Sequence, residues 1–290
     1  MPSPPISLPY FDSLLASLPH SPEVAQAFGR HVHWGYWADP DRATNTGEDF
    51  AAAAEALAQL VYRAAQVEEG DRVLDVGCGF GGTIASLNEQ FQSLDLTGLN
   101  IDPRQLERAR QLVLPQAQNR INFVEGNACE LPFAAASFDR VLAVECIFHF
   151  PDRRQFFQEA YRVLKPGGRL ALSDFVPLPW LMPGIALQQT FNRLVTSEPG
   201  FYGSVQTPIT LDDYRQLARS VGFRLDLEQD ITRNTIPTYF YLWHLHNQTP
   251  PSQRQSDAAT DWSALTQTTL LALTSYFNLL QYLVLGFVKP

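Results

Sequence analysis

The segment RVLDVGCGFGG, Arg72 to Gly82, sets Gly77, Gly79 and Gly82 in the spacing GxGxxG. Glycines so placed after a short apolar strand let a backbone turn approach a cofactor closely and open a helix behind it. Asp75 stands just before the first of them. A dinucleotide would set its pyrophosphate against this turn and the next helix N-terminus, where a buried carboxylate would repel it. A ligand with positive charge at that end is attracted instead. S-adenosylmethionine meets the requirement: it has no phosphate, its methionine end carries an ammonium, and its sulfur is a sulfonium. Asp75 could also do no more than cap the turn.

The next reactive candidate is His149, in VECIFHFPD. Imidazole titrates near neutral pH and can take a proton from a hydroxyl. Between Phe148 and Phe150 it could equally be a packed side chain. Glu145, in the same stretch, could touch cofactor or acceptor. His31/His33 and His244/His246 form two HxH pairs. No Asp, Glu or Cys stands at a metal-ligand spacing beside them, so no metal is expected. Cys78, Cys129 and Cys146 lie far apart without a CxxC and read as buried thiols in a reducing compartment.

These residues need a scaffold. Apolar strands are predicted at Arg72–Val76, Asp95–Asn100, Ile121–Val124, Phe138–Val144 and Arg169–Asp174. Helices alternate with them, from the glycine turn to about Gln92, from Pro103, and over Asp152–Leu164, closed by the glycines of KPGG. Repeated βα units predict an α/β fold, Rossmann-like and doubly wound, with a mostly parallel seven-stranded sheet and ligands at the carboxyl ends of the strands. A sixth strand is expected at Phe223–Asp230 and a last at Tyr282–Val288, after a helix over Leu265–Leu279. Thr210 with Asp213 predicts a capped helix start. The expected layout is an N-terminal helical lid (1–66), a cofactor-binding core (67–176), an inserted cap (177–209), and the C-terminal part of the core (210–290) with a loop insertion near 233–264.

Composition narrows the function. Of 290 residues 45% are hydrophobic and 18% charged, as in a globular protein, and the net charge is −9. An acidic chain without a Lys/Arg cluster is a poor partner for nucleic acid. The apolar tail LLALTSYFNLLQYLVLGFVKP is interrupted by Thr, Ser, Asn and Gln. It falls short of the ~18–20 unbroken apolar residues of a spanning helix, so no stable membrane insertion is expected. The N-terminus lacks a basic, then apolar, signal pattern. A cytoplasmic protein, monomer or weak homodimer, is the expectation.

VLDVGCGFGG, LTGLN, VEGNA, SFDRVLAVE and VLKPGG succeed one another between Val73 and Asp174. In that order and spacing they resemble the class I S-adenosylmethionine-dependent methyltransferases. The resemblance implies that Asp75 and the Gly77 and Gly79 backbone hold the methionine part. It places Asn100 where an acid usually grips the ribose, and Asn127 where an acid usually contacts adenine. Amides would hold those groups less tightly than carboxylates. Ile101, Gln105, Ala128 and Glu145 complete the implied cofactor set. HVHWGYW, His31 to Trp37, is similar to the N-terminal aromatic box of the branch acting on tocopherols, sterols, natural-product sugars and amines. There this segment covers the cofactor, which assigns Trp34 and Tyr36 to it, Tyr36 to the methionine carboxylate. Trp34 and Trp37 could equally staple a helix to the core. In related sugar O-methyltransferases a histidine matching His149 works with an aspartate matching Asp174. The resemblance therefore implies a His149/Asp174 pair that deprotonates and orients a hydroxyl.

Aromatic residues crowd the cap and the segment after the sixth strand. Phe148, Trp180, Phe191, Tyr202 and Tyr239 are the pocket candidates, and they imply a lipophilic or aromatic small-molecule acceptor. The expected reaction is methyl transfer to an oxygen, or a carbon, of such a molecule. Methylation of a small amine and a non-catalytic binding protein are the alternatives, and Asp75 argues against an NAD-dependent oxidoreductase.

Overall fold

Strands β1 (Arg72–Val76), β2 (Asp95–Asn100), β3 (Arg120–Glu125), β4 (Phe138–Val144), β5 (Leu164–Pro177), β6 (Arg224–Asp230) and β7 (Leu280–Val288) form one sheet in the order β3-β2-β1-β4-β5-β7-β6. The structure is a computed structural model that describes residues 8–187, 201–203, 205–248 and 258–290, leaving aside the side chains of 258–263. β1 to β5 run parallel, and β7 lies antiparallel between β5 and β6. Strand order reverses between β1 and β4, which opens a crevice above their carboxyl ends.

Helices cover both faces. α3 (Gly47–Ala64), α4 (Gly82–Gln90) and α5 (Pro103–Leu112) bring Leu57, Val61, Ile84 and Leu106 against Val73, Leu96 and Leu142. On the other face α6 (Arg153–Val163) and α7 (Leu211–Val221) bring Phe157, Val163 and Tyr214 against Leu74, Val141 and Leu172. Val73 and Leu74 fall on opposite faces because strand side chains alternate, and both are fully buried because a parallel sheet is covered on both sides. Edge strand β6 alternates exposed and half-buried residues, the period that its sequence predicts. α7 begins with the expected capping box between Thr210 and Asp213.

Before the sheet, α1 (Pro9–Ser17) packs Phe11 on Phe80 beside the glycine turn, and α2 (Pro22–Phe28) follows it. After β6, the short helix Thr232–Thr235 leads into α8 (Pro237–Gln248), and α9 (Ala258–Tyr276) precedes β7. The expected loop near 233–264 is thus largely helical: Tyr239 and Tyr241 are buried on α8, and their packing outweighs the polar composition that follows. Residues 249–257 of that expected loop, like 188–200 of the expected cap, lie outside the described residues. The glycines of KPGG do not cap α6. The helix ends at Val163 with an extended Leu164, and Gly167 (φ +78°) turns the start of β5 where its register against β4 shifts.

Candidate active site

The glycine turn follows β1 at the centre of the crevice. Gly77 has φ +78°, and a Cβ there would lie 2.8 Å from Cys146 Cβ, so glycine is required twice over. The Gly77 and Cys78 amides donate to Leu99 O at 2.8 and 3.0 Å, which pins the turn to β2. Gly82 opens α4, and a Cβ there would meet His31 Nδ1 at 2.4 Å, so the N-terminal segment can close directly on the turn.

Above the turn lies a cavity bordered by nine of the eleven residues assigned to the cofactor: Asp75, Gly77, Gly79, Asn100, Ile101, Gln105, Asn127, Ala128 and Glu145. Asn100 donates to Gln105 Oε1 (3.0 Å) and accepts from the Asp102 amide (3.1 Å), while Asn127 accepts from the Cys129 amide (2.9 Å). Each amide is thereby held in place with hydrogen-bonding capacity remaining. Asp75 is 1% exposed, its Oδ2 has no hydrogen-bond partner, and burial pushes its carboxyl up to about 7. An orphaned buried carboxylate is costly. One that borders a cleft fits a site whose missing partner is a cation, such as the ammonium of S-adenosylmethionine. Leu8, Tyr10 and Phe11 roof this cavity and leave about 100 Å³.

The structure places the other two cofactor assignments elsewhere. Tyr36 packs half-buried against the apolar layer under α3, its amide bonded to Ala53 O at 2.8 Å, and does not border the cavity. Trp34 borders a second, neighbouring cavity instead. Trp37 staples α3, its Nε1 donating to Asp49 at 2.9 Å.

A second cavity adjoins it and is larger, about 1440 Å³, with Trp34, Phe148, Phe175, Tyr202, Leu242 and Leu271 among its walls. Of the five pocket candidates, Phe148 and Tyr202 border it. Trp180 is 64% exposed and outside its walls, and Tyr239 lies behind Trp34, its hydroxyl bonded to Ser275 at 3.0 Å. Phe191 lies outside the described residues.

Tyr10, Val32, His33, Glu145 and His149 border both cavities and so mark their junction. His149 sits on a single 3-10 turn after β4, and its Nε2 lies 3.2 Å from Tyr10 Oη, the rings stacked at 5.8 Å. Glu145 has φ +50°, a strained geometry that often marks function. It accepts from the Trp34 amide (3.0 Å) and from Tyr282 Oη, and burial pushes it up to about 8 against those bonds. The implied His149/Asp174 pair is replaced by another. Asp174 is fully buried and bound by Tyr214 Oη, the Phe175 amide (2.8 Å) and Arg153 (3.4 Å). The reason is topological: Arg153 begins α6 directly over the end of β5, and a buried guanidinium needs a counter-ion there.

Sequence reasoning missed Tyr10, Arg153 and the inward placing of His31 and His33. Tyr10 meets His149 across 139 positions, from a Pro-rich stretch where the sequence suggests a short helix but not what it packs on. The HxH spacing was visible, but not its burial. Among the described residues no three His, Cys, Asp or Glu side chains form a metal-binding group, and no helix is long and apolar enough to cross a membrane.

Comparison with known proteins bears on this geometry. Residues 74–172 match the methyltransferase domain family. The chain is 34% identical over 215 residues to Methyltransferase GfsG of Streptomyces halstedii, covering 73% of this chain and 72% of that one. It is 34% identical over 221 residues to the 27-O-demethylrifamycin SV methyltransferase of Amycolatopsis mediterranei, covering 74% of each. The fold superposes on mycolic acid cyclopropane synthase CmaA1, solved with S-adenosylhomocysteine (SAH), with TM-score 0.76 at 18% identity over 96% of this chain and 94% of that one. An orphaned acid under a glycine turn, a matching sheet order and relatives of this kind converge: the chain belongs to the class I S-adenosylmethionine-dependent methyltransferases.

Proposed function

We propose that this methyltransferase acts on a hydroxyl of a large, mainly apolar small molecule. The observation that carries the reading is His149 at the junction of the two cavities, with the larger one walled by aromatic and aliphatic side chains. The relative named for 27-O-demethylrifamycin SV supports an oxygen acceptor. A cavity of about 1440 Å³ exceeds the ~300–1,000 Å³ of most small-molecule sites and favours a bulky acceptor.

The cofactor supplies a methyl group on a sulfonium, already a good electrophile. Alignment is then the main task of the protein, and it contributes through proximity. Asp75 and the glycine turn fix the amino-acid end, and the amides of Asn100 and Asn127 the nucleoside end. Trp34, Phe148 and Phe175 hold the acceptor's apolar body and exclude water. His149 takes the hydroxyl proton as the oxygen–methyl bond forms and the sulfur–methyl bond breaks. Tyr10 keeps the imidazole oriented until the hydroxyl arrives. Arg153 and Asp174 neutralise each other in the cavity wall, so this pair presents no net charge to the acceptor.

The test is methyl-labelled S-adenosylmethionine with matched acceptors: a bulky lipophilic alcohol or phenol, its amine counterpart, and a small polar alcohol. Label on the bulky hydroxyl is expected. Label confined to the amine, or to the small alcohol, would replace this reading.

A further inference from the structure

His31 and His33 are buried side chains, 4% and 8% exposed, on the wall of the cofactor cavity next to the glycine turn. The mechanism above leaves them unused. They form a chain: His33 Nδ1 meets Trp34 O at 2.9 Å, His33 Nε2 meets His31 Nδ1 at 3.2 Å, and His31 Nε2 meets Glu55 Oε2 at 2.8 Å.

Counting protons along this chain is informative. A carbonyl only accepts, so His33 carries its proton on Nδ1. Glu55 also accepts from Ser86, from Gln59 (3.1 Å) and from Arg30 (3.1 Å). Burial works against its ionisation, but the bonds from His31 and Ser86 prevail and hold it down at about 2. His31 therefore donates from Nε2. Two neutral rings have no proton left for the third contact, where two lone pairs then face each other. One more proton converts that contact into a hydrogen bond and leaves the pair with a single positive charge. Burial opposes this in the free protein, lowering His31 and bringing His33 down to about 3.

A carboxylate arriving beside the pair would reverse the balance. The nucleoside end of the cofactor belongs at Asn100 and Asn127, so its amino-acid end lies over the glycine turn and the N-terminus of α4. Asp75 suits the ammonium there, and the carboxylate needs a cation. The basic described residues on the cavity wall are Arg30, His31, His33 and His149. Arg30 is turned to Glu89 (2.9 Å) and Glu55, and His149 stands at the acceptor junction. The charged and titratable groups facing the pair are Arg30, Glu55 and Glu89, with Asp75 and Glu145 across the cavity.

We propose that His31 and His33 share one added proton when the cofactor binds, and that this cationic pair takes the place assigned to Tyr36 as electrostatic partner of the cofactor carboxylate. The inference rests on the cofactor site described above.

The test is calorimetry of SAH at pH 7.5 in two buffers of different ionisation enthalpy, which reads protons taken up on binding. The control ligand is its decarboxylated analogue, which keeps the ammonium and so engages Asp75 alike. The account expects SAH to take up about one proton more than the analogue, and the difference to vanish in His33→Asn. If that variant fails to fold, ring-nitrogen shifts of ¹⁵N-histidine-labelled wild type with SAH carry the same test, an imidazolium on the pair being the expected result. Equal proton uptake by both ligands, or neutral rings in the complex, overturns the shared proton and leaves the cofactor site standing. Failure of SAH to bind at all overturns the cofactor site itself.

Discussion

The cofactor side and the acceptor side of this site are built differently. On the cofactor side, Asp75, Gly77, Asn100 and Asn127 each sit at the carboxyl end of a parallel strand, and the register of β1 to β3 fixes their spacing. On the acceptor side, α1, the turn after β4, α8 and α9 converge from distant parts of the chain, and packing between helices sets the geometry. The first arrangement is tied to the sheet and leaves Asp75 Oδ2 buried without a hydrogen-bond partner. The second is walled mainly by helices and mixes apolar side chains with polar ones, Arg153 and Asp174 among them. Chemistry sits where the two meet, at His149 and Glu145.

The largest expected effect is at His149. Replacing it by alanine should lower kcat for a hydroxyl acceptor by about 10²–10⁴-fold, the usual contribution of a general base, with SAH affinity nearly unchanged. Single-turnover rates and calorimetry read the two separately. A small loss with a hydroxyl acceptor would break the division of labour and favour an amine, which needs no strong base.

Asp75→Asn should weaken SAH binding by about 10–100-fold, the worth of a charge-assisted bond, while raising the melting temperature of the ligand-free protein at pH 8. The sign follows from the carboxyl being pushed up to about 7 from 3.8. Between those values the native state binds more protons than the unfolded chain, so stability falls as pH rises through the window and stays lowered above it. Asparagine removes that loss, and the stability difference should shrink toward pH 4. Thermal melts across pH check it, and a destabilised variant at pH 8 would contradict it. Glu145, pushed up to about 8, adds to the same alkaline loss.

Tyr10→Phe sharpens the comparison, because Tyr10 stands where the two cavities meet and the change removes only its hydroxyl. Loss of its bond to His149 should cost about 5–10-fold in kcat, the value of one hydrogen bond, with KM little changed and the pH–rate profile displaced. An effect on KM alone would make Tyr10 a wall of the pocket rather than an orienting partner. Trp180→Ala should do least: a 64% exposed side chain outside the cavity walls leaves KM unchanged and stability within ~0.5 kcal/mol.

The same division explains what the sequence made legible. Strand, glycine turn and helix N-terminus are contiguous in the chain, so Asp75 and Gly77 could be placed from local pattern, whereas Asn100 and Asn127 were picked out by the resemblance. Tyr36 was assigned from the resemblance of the aromatic segment, which does not say which side chains border a cavity: Trp34 borders the larger one and Tyr36 neither. Trp180 failed because aromatic content does not distinguish a pocket wall from a surface. The Asp174 assignment erred for want of Arg153, a buried cation that nothing in the α6 pattern marks as inward. Tyr10 and the chain of contacts through His31, His33 and Glu55 depend on distant segments meeting, which periodicity does not encode.

The most direct test of the account is a crystal structure of the protein with SAH bound. The account predicts the adenosine between Asn100 and Asn127, the ammonium within about 3 Å of Asp75 Oδ2, and the sulfur facing His149. An SAH molecule whose ammonium lies away from Asp75, or whose sulfur points away from the junction of the two cavities, would contradict it.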